Sequence, residues 1–270
     1  TVGTAPAGIS VTVEDVALCP RFTARVFENV TVGPSPMWLK ARLAAAGQRS
    51  ISNVVDITNY VMLVSGHPLH AFDLDQIAGG ELTVRSARDG EKLVTLDGEE
   101  RELDSDICLI ADADGPTSLA GVMGGSRSEV SDQTTRVLLE VAVWDGANIN
   151  RTSTRLGLRS EASSRFEKGL SPEGALDAQA MATALMLELT GATMADGTLD
   201  VGGEGPAANV IRLRDARIIS LLGTPIERER SQQILEALGF GVEAADDGLD
   251  VTVPHWRRDD VTREADLIEE

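Results

Sequence analysis

Two of the three histidines in the chain stand three residues apart in His67-Pro68-Leu69-His70, and Asp73 follows closely. Imidazoles and a carboxylate at short spacing are a ligand type that holds zinc and activates water for hydrolysis. Pro68 argues against the regular helix on which such ligand pairs commonly ride, because proline deletes a helical hydrogen bond and clashes with the preceding turn. Without a metal, a neutral imidazole still donates from one nitrogen and accepts at the other, which suits it to orienting a water. The surrounding stretch, residues 50–73, also sets Asn53, Asp56, Thr58, Asn59 and Asp73 among Val54, Val55, Ile57, Val61, Met62 and Leu63. Polar groups that close to apolar ones are costly to bury unless each finds a hydrogen-bond partner or a ligand. The expectation is a polar set that holds a ligand.

Two further acidic features could do chemistry. Glu140 stands inside the apolar run VLLEVAVW, where an acid is expensive without a partner. Near the C-terminal end, Asp260, Asp266, Glu269 and Glu270 form a second cluster; on a helix the last three share a face at i, i+3 and i+4. Four hard oxygen ligands suit magnesium better than zinc.

The elements that must position these residues are legible from periodicity. ISVTVEDVALCPRFTARVFENVTVG alternates as two half-buried strands. A helix follows, with Ser35 as cap, Pro36 in its first turn, an apolar stripe of Trp38, Leu39 and Leu43, and Gly47 as its stop. ELTVRSA, EKLVTLDG, DICLIAD and VLLEVAVW read as further strands, and LAGVMGGS, residues 119–126, is a tight glycine-rich turn. Ser171 and Pro172 open a long helix with Leu176, Ala180, Ala184 and Leu187 on one face, and Gly191 ends it. The Gly- and Pro-rich stretch 197–209 reads as a domain boundary. Beyond it come a strand, two helices and two strands, and then WRRDDVTREADLIEE, which begins another helix. The fold class is α+β: a β-rich domain with packed helices, then a small helix-helix-strand-strand domain.

A net charge of −19 repels polyanions at long range and argues against a general nucleic-acid binder. The charge is uneven, however. Residues 89–114 hold ten acids against Lys92 and Arg101, whereas residues 151–168 carry Arg151, Arg155, Arg159, Arg165 and Lys168 against Glu161 and Glu167. That local basic face could guide one RNA end. Cys19 and Cys108 lie in no ligand-like spacing, and no signal peptide or long apolar run is evident, so a reducing cytoplasmic setting is expected.

The stretches ALCPRFTARV, GPSPMWLKARL, ISNVVDITNYVM, HPLHAFDLDQI, LAGVMGG, LLEVAVW, SEASSRFEKGLSP and VPHWRRDDVTREADLIEE together resemble the β subunits of bacterial phenylalanyl-tRNA synthetases, in that family's order. The resemblance implies that residues 1–200 are the editing module, the third and fourth domains of the subunit. Residues 208–270 would be the fifth domain, a small DNA-binding-like fold cut within its last helix. The chain would then be a piece of a longer subunit. The intact enzyme would be an (αβ)₂ tetramer with the α subunit, attaching phenylalanine to tRNA(Phe) with ATP and Mg²⁺.

The same resemblance implies what the site does. A pocket shaped for phenylalanine cannot strongly exclude tyrosine, because an added hydroxyl costs little where it is merely disliked. A second site must therefore hydrolyse tyrosine from the tRNA 3′ end. By the resemblance Glu140 contacts the tyrosine hydroxyl, and His70 lies near the ester and the terminal ribose. Thr58 and Asn59 line the same pocket, Ala120 and Gly121 offer backbone contact and close approach, and Ser160 and Ala162 border the pocket. At RSEAS some relatives have a threonine and an aspartate before the alanine. Asp260, Asp266, Glu269 and Glu270 would bind Mg²⁺ shared with the α subunit, with Asp259 as a possible replacement. The alternative is a non-catalytic assembly module in which editing has been lost.

Overall fold

A computed structural model of the chain describes residues 2–4, 8–203 and 205–270. The chain divides into two units, Thr1–Glu204 and Gly205–Glu270. The first opens with β1 (Val2–Thr4), β2 (Ser10–Val13) and β3 (Arg21–Glu28), followed by helices α1 (Met37–Ala45) and α2 (Asn53–Ser65). Strands β4 (His70–Asp73), β5 (Glu81–Ser86), β6 (Glu91–Val94), β7 (Glu100–Leu103), β8 (Cys108–Asp112), β9 (Gly115–Leu119), β10 (Met123–Gly124) and β11 (Val137–Val143) come next. Helices α3 (Gly146–Leu156), α4 (Glu161–Phe166) and α5 (Pro172–Thr190) and short strands β12 (Thr193–Met194) and β13 (Leu199–Gly202) complete the unit.

These strands form two main sheets. One has the order β1-β2-β5-β8-β9-β10, with β2 and β5 parallel; the other has the order β12-β3-β11-β4, with β13 also paired to β3. Strand β11 is buried along its whole length, which explains why it is apolar everywhere except at Glu140. Because successive side chains of a strand point to opposite faces, Leu138 and Ala142 enter one core with residues of both sheets. Val137, Leu139, Val141 and Val143 enter a second core with helix residues such as Leu39, Ile57 and Ala182. Glu140 has the parity of Leu138 and Ala142, so it faces the core shared by the two sheets.

The polar residues of the 50–73 stretch mostly hold the fold together. The segment is a helix, α2, capped by Ser52, whose side chain accepts from the Val55 amide, and stopped at Gly66 with φ of 81°. Asn53 accepts from the Gly33 amide at 3.0 Å and donates to Thr31 O at 2.9 Å. Asp56, fully buried, accepts from Ser35 Oγ and Ser50 Oγ at 2.5 Å each and from the Ile51 amide at 2.8 Å. Asp73 accepts from Thr134 Oγ1 at 2.7 Å. Ser35 is therefore no cap for α1: its hydroxyl goes to Asp56, and Pro36 occupies the cap position without a side-chain bond. Asp56→Ala would strip two hydroxyls, one of them buried, and a backbone amide of their shared acceptor. We expect it to destabilise the protein by about 3 kcal/mol. Denaturant unfolding checks this, and a loss below about 0.5 kcal/mol would contradict it.

Helix α5 buries the face opposite to the expected one. Ala175, Ala178, Ala182 and Met186 are buried, and Leu176 and Leu187 are exposed. The reason is close approach: α5 packs on α2 and against β3 and β11, and small alanines let the backbones come near. Polar contacts reinforce the choice, since Gln179 meets Thr23 at 3.2 Å and Thr183 accepts from Arg25 at 2.7 Å.

The second unit runs β14 (Val210–Arg214), α6 (Asp215–Leu222), α7 (Arg228–Ala237), β15 (Gly241–Ala245), β16 (Gly248–Thr252) and α8 (Glu264–Glu269). Its sheet has the order β14-β16-β15 around a core that includes Ile211, Leu235, Phe240 and Val251. The helix expected from Trp256 onward starts only at Glu264, after a short 3-10 turn at His255–Arg257. Among the described residues no helix is long and apolar enough to cross a membrane.

Candidate functional site

In the first unit a cavity of about 220 Å³ is walled by Pro68, Leu69 and His70 before and at the start of β4, by 118–119 and 121–124 of the glycine-rich segment, and by Glu140, Trp144, Ser160, Ala162, Phe166 and Leu96. Glu140 on β11 and His70 on β4 are direct antiparallel partners. Such partners place their Cβ atoms about 5 Å apart on the same face. On the other side Glu140 pairs with Ala24 of β3, a small neighbour. The sheet register thus delivers two polar side chains to one spot.

Glu140 is buried and His70 half-buried, and each carries a polar atom shut off from solvent and left unsatisfied. Glu140 is 5% exposed, and its Oε2 has no hydrogen-bond partner; the same is true of His70 Nε2. Burial pushes the Glu140 carboxyl up from 4.5 to about 8 and the His70 imidazole down from 6.5 to about 4. His70 stacks edge-on against Phe72 with ring centroids 4.4 Å apart. Near neutral pH the cavity therefore presents a largely protonated carboxyl and a neutral imidazole in apolar surroundings. Buried polar groups without partners, with charge states displaced by burial and gathered in a concave apolar site, are the marks of a place built for a ligand.

The glycine-rich turn shapes the wall. Gly121 has φ of 66°, and a Cβ there would come within 2.7 Å of Trp144 Cδ1, 2.8 Å of Ile149 Cδ1 and 3.0 Å of Phe166 Cδ2. At Gly124 a Cβ would overlap the His70 ring, lying 2.8 Å from Nε2. Ser160 ties the turn to α4: its hydroxyl donates to Val122 O at 2.8 Å and accepts from the Ser163 amide at 3.0 Å.

Of the residues singled out in the sequence, His70, Gly121, Glu140, Ser160 and Ala162 come together here. Ala120 does not line the cavity, and its amide is taken by Cys108 O at 3.2 Å, so it is not free to meet a ligand. Thr58 and Asn59 lie on α2 and do not line the cavity either; the Thr58 hydroxyl donates to Val55 O at 2.7 Å. Leu96, Trp144, Phe166 and Gly124 belong to the wall but were not singled out. The signal for the two aromatics was available: rings are only 3% of this chain, and each flanks a motif.

The zinc reading of His67, His70 and Asp73 fails, and the acids of the second unit do not converge. Among the described residues no group of three or more His, Cys, Asp or Glu is placed to hold a metal. Asp260 and Glu270 both pair with Arg257, and Asp266 accepts from Arg263 at 2.8 Å and from the Thr262 amide at 2.9 Å. Arginines and a backbone amide thus already hold oxygens of Asp260, Asp266 and Glu270 within this chain. The basic run 151–168 is likewise largely neutralised. Arg155 reaches Asp104 and Asp106, Arg159 pairs with Glu167, and Arg165 pairs with Glu161.

A pH dependence follows. The raised Glu140 carboxyl favours the folded state while protonated, so its contribution is complete below pH 4.5 and is lost as pH rises toward 8. The lowered His70 does the reverse: its contribution is complete above 6.5 and is lost as pH falls toward 4. Between about pH 5 and 8, stability is expected to fall by up to about 1.4 kcal/mol per pH unit from Glu140 alone, and Glu140→Gln is expected to flatten that slope. Unfolding midpoints across the range check this; identical slopes in the two proteins would contradict it.

Comparison with known proteins places this chain in a family. The B3/4 domain family matches residues 18–191, and the tRNA synthetase B5 domain family matches residues 211–270. The phenylalanine–tRNA ligase beta subunit of Anaeromyxobacter dehalogenans is 49% identical over 269 residues, covering 99% of this chain and 34% of that protein. The same-named protein of Moorella thermoacetica is 49% identical over 264 residues, covering 98% of this chain and 32% of that protein. This chain thus spans about a third of the length of these relatives. A solved N-terminal fragment of the phenylalanyl-tRNA synthetase beta subunit from Pyrococcus horikoshii aligns with a TM-score of 0.46 at 17% identity, over 96% of this chain and 73% of that one. With a B3/4 domain followed by a B5 domain, and with relatives of one name at nearly half identity along its whole length, the chain belongs to the family of phenylalanine–tRNA ligase β subunits.

Proposed function

We propose that the cavity is a hydrolytic editing site that removes tyrosine esterified to the 3′ end of tRNA(Phe). The observation that carries this reading is the unpartnered, buried carboxyl of Glu140 in a cavity otherwise lined mainly by apolar groups. A phenol satisfies that carboxyl. A phenyl ring leaves it bare, at a penalty of about 1–3 kcal/mol for the unmet group. The site therefore selects by what the wrong amino acid adds, which a synthetic pocket for phenylalanine cannot do by packing.

His70 sits beside Glu140 at the start of its strand, with a neutral ring whose Nε2 is uncommitted. Its role is orientation: it holds a water or a ribose hydroxyl at the ester. Hydrolysis consumes one water. The water oxygen bonds to the acyl carbon, the bond from that carbon to the ribose oxygen breaks, and one proton ends on the ribose hydroxyl. Holding the water and ester at reacting distance supplies the acceleration, and no side chain is assigned as general base.

In this reading the chain works within a larger β subunit, assembled with an α subunit that carries out activation with ATP and Mg²⁺. The test is deacylation by the assembled enzyme. Tyrosyl-tRNA(Phe) is expected to be hydrolysed at least about a hundredfold faster than phenylalanyl-tRNA(Phe), as hydrogen-bond-based discrimination allows. Equal rates on the two esters would overturn the proposal and favour an assembly role.

A further inference from the structure

His67, the first histidine of His67-Pro68-Leu69-His70, has no part in the chemistry above, yet it is 5% exposed. Its ring lies against the first turn of α5. A Cβ added at Gly174, itself buried, would overlap His67 Nε2 and come within 3.0 Å of Cδ2 and 3.3 Å of Cε1. Only a glycine leaves room for an imidazole there.

That first turn is itself fixed. Ser171 caps it, accepting from the Gly174 amide at 3.4 Å. The Arg21 guanidinium donates to Pro172 O at 3.2 Å and grips Asp200 with two bonds of 2.9 and 2.7 Å. Arg21 belongs to β3 and Asp200 to β13, which pair in the sheet that also carries Glu140. The start of α5 is thereby anchored to the same sheet that carries the cavity floor.

The three residues after His67 are all cavity wall: Pro68, Leu69 and His70. They form a short path from the end of α2 at Gly66 to the start of β4, and proline stiffens it. We propose that His67 is a positioning residue, a strut between α5 and the 68–70 wall that fixes where the His70 ring stands relative to Glu140. This rests on the editing reading for its consequence in catalysis, although not for the geometry. Misplacement of a catalytic group by about 1 Å can cost about a hundredfold in rate.

The test uses the assembled enzyme carrying His67→Ala, Gly174→Ala or both. Each single change is expected to lower kcat for tyrosyl-tRNA(Phe) hydrolysis by tenfold or more, with KM within about twofold and phenylalanylation retained. The double variant is expected to be faster than either single one, because the methyl introduced by Gly174→Ala occupies space that the imidazole vacates. A role in stability alone would not produce that rescue. Deuterium exchange at the His70 imidazole carbon, followed by mass spectrometry, gives a second readout; we expect it to quicken several-fold in each single variant and to slow again in the double. Wild-type hydrolysis by His67→Ala, or losses that multiply in the double variant, would overturn the inference. If Gly174→Ala does not fold, unchanged exchange at His70 in His67→Ala overturns it, and quickened exchange upholds it. A wild-type enzyme that hydrolyses neither ester would sink the editing reading instead, and exchange at His70 would still decide the role of His67.

Discussion

Glu140→Ala in the assembled enzyme is expected to lower kcat/KM for tyrosyl-tRNA(Phe) hydrolysis by about 10²- to 10³-fold while making the protein more stable. The two effects share one cause. Glu140 sits fully inside the fold with an oxygen that bonds to nothing, and burial has pushed its carboxyl up to about 8. Such a group opposes folding, so its removal relieves the penalty. In the editing reading the same group gives the cavity its preference for a phenol, worth about 3 kcal/mol when the phenol goes unmet by an alanine. A residue kept at a cost to stability is one whose function is elsewhere. Glu140→Gln separates the two protonation states. Gln resembles the protonated acid in offering a donor and an acceptor, so if that form recognises the phenol, Gln should lose less than about tenfold. If the carboxylate is the working form, Gln should fall as far as Ala. Rates of hydrolysis on both esters, with unfolding midpoints alongside, decide among these outcomes; a Glu140→Ala enzyme with undiminished tyrosyl hydrolysis would remove Glu140 from the site.

The fold is most legible in the amino-acid sequence where a single local rule governs. The acid in VLLEVAVW and the alternation of β11 fix which way Glu140 faces, and the positive-φ glycine in LAGVMGG marks a close approach. The order of strands and helices in the second unit also follows from periodicity and turn residues. What failed depended on tertiary partners. The polar residues of 50–73 looked like a ligand set because their partners are far away in the chain: Asn53 reaches Leu189, and Asp73 reaches Thr134. At the C-terminal end, the pairing of Arg257 with both Asp260 and Glu270 cannot be read from helical spacing. The buried face of α5 is not legible from hydrophobicity, because leucines outrank alanines on any hydrophobic scale. The helix instead needed a narrow face to approach α2, β3 and β11. Propensity tells which residues can be buried; the neighbour decides which ones are.

Gly121→Val is expected to destabilise the protein by about 4 kcal/mol and to abolish hydrolysis in whatever fraction still folds. The backbone at Gly121 has φ of 66°, a conformation that costs a non-glycine residue about 1–2 kcal/mol, and more for a β-branched one. Forcing side-chain volume into a packed wall costs a further 1–3 kcal/mol or so. At Gly121 that volume would press on Trp144, Ile149 and Phe166 at 2.7 to 3.0 Å, and the two aromatic residues among them line the cavity. Gly98, at the tip of the β6–β7 hairpin, separates the two contributions. Its φ is 82°, and nothing lies within 4 Å of a Cβ built there. Gly98→Ala should therefore show the backbone cost alone, about 1–2 kcal/mol, with hydrolysis unaffected. Gly121→Ala should show the same cost plus the steric one, and should lower hydrolysis because Trp144 and Phe166 can yield only toward the cavity or the core. If thermal and denaturant unfolding give Gly121→Ala and Gly98→Ala equal losses, the wall around Gly121 is softer than its distances imply. The cavity would then owe its shape to the sheet register that pairs Glu140 with His70, and not to the glycine-rich turn.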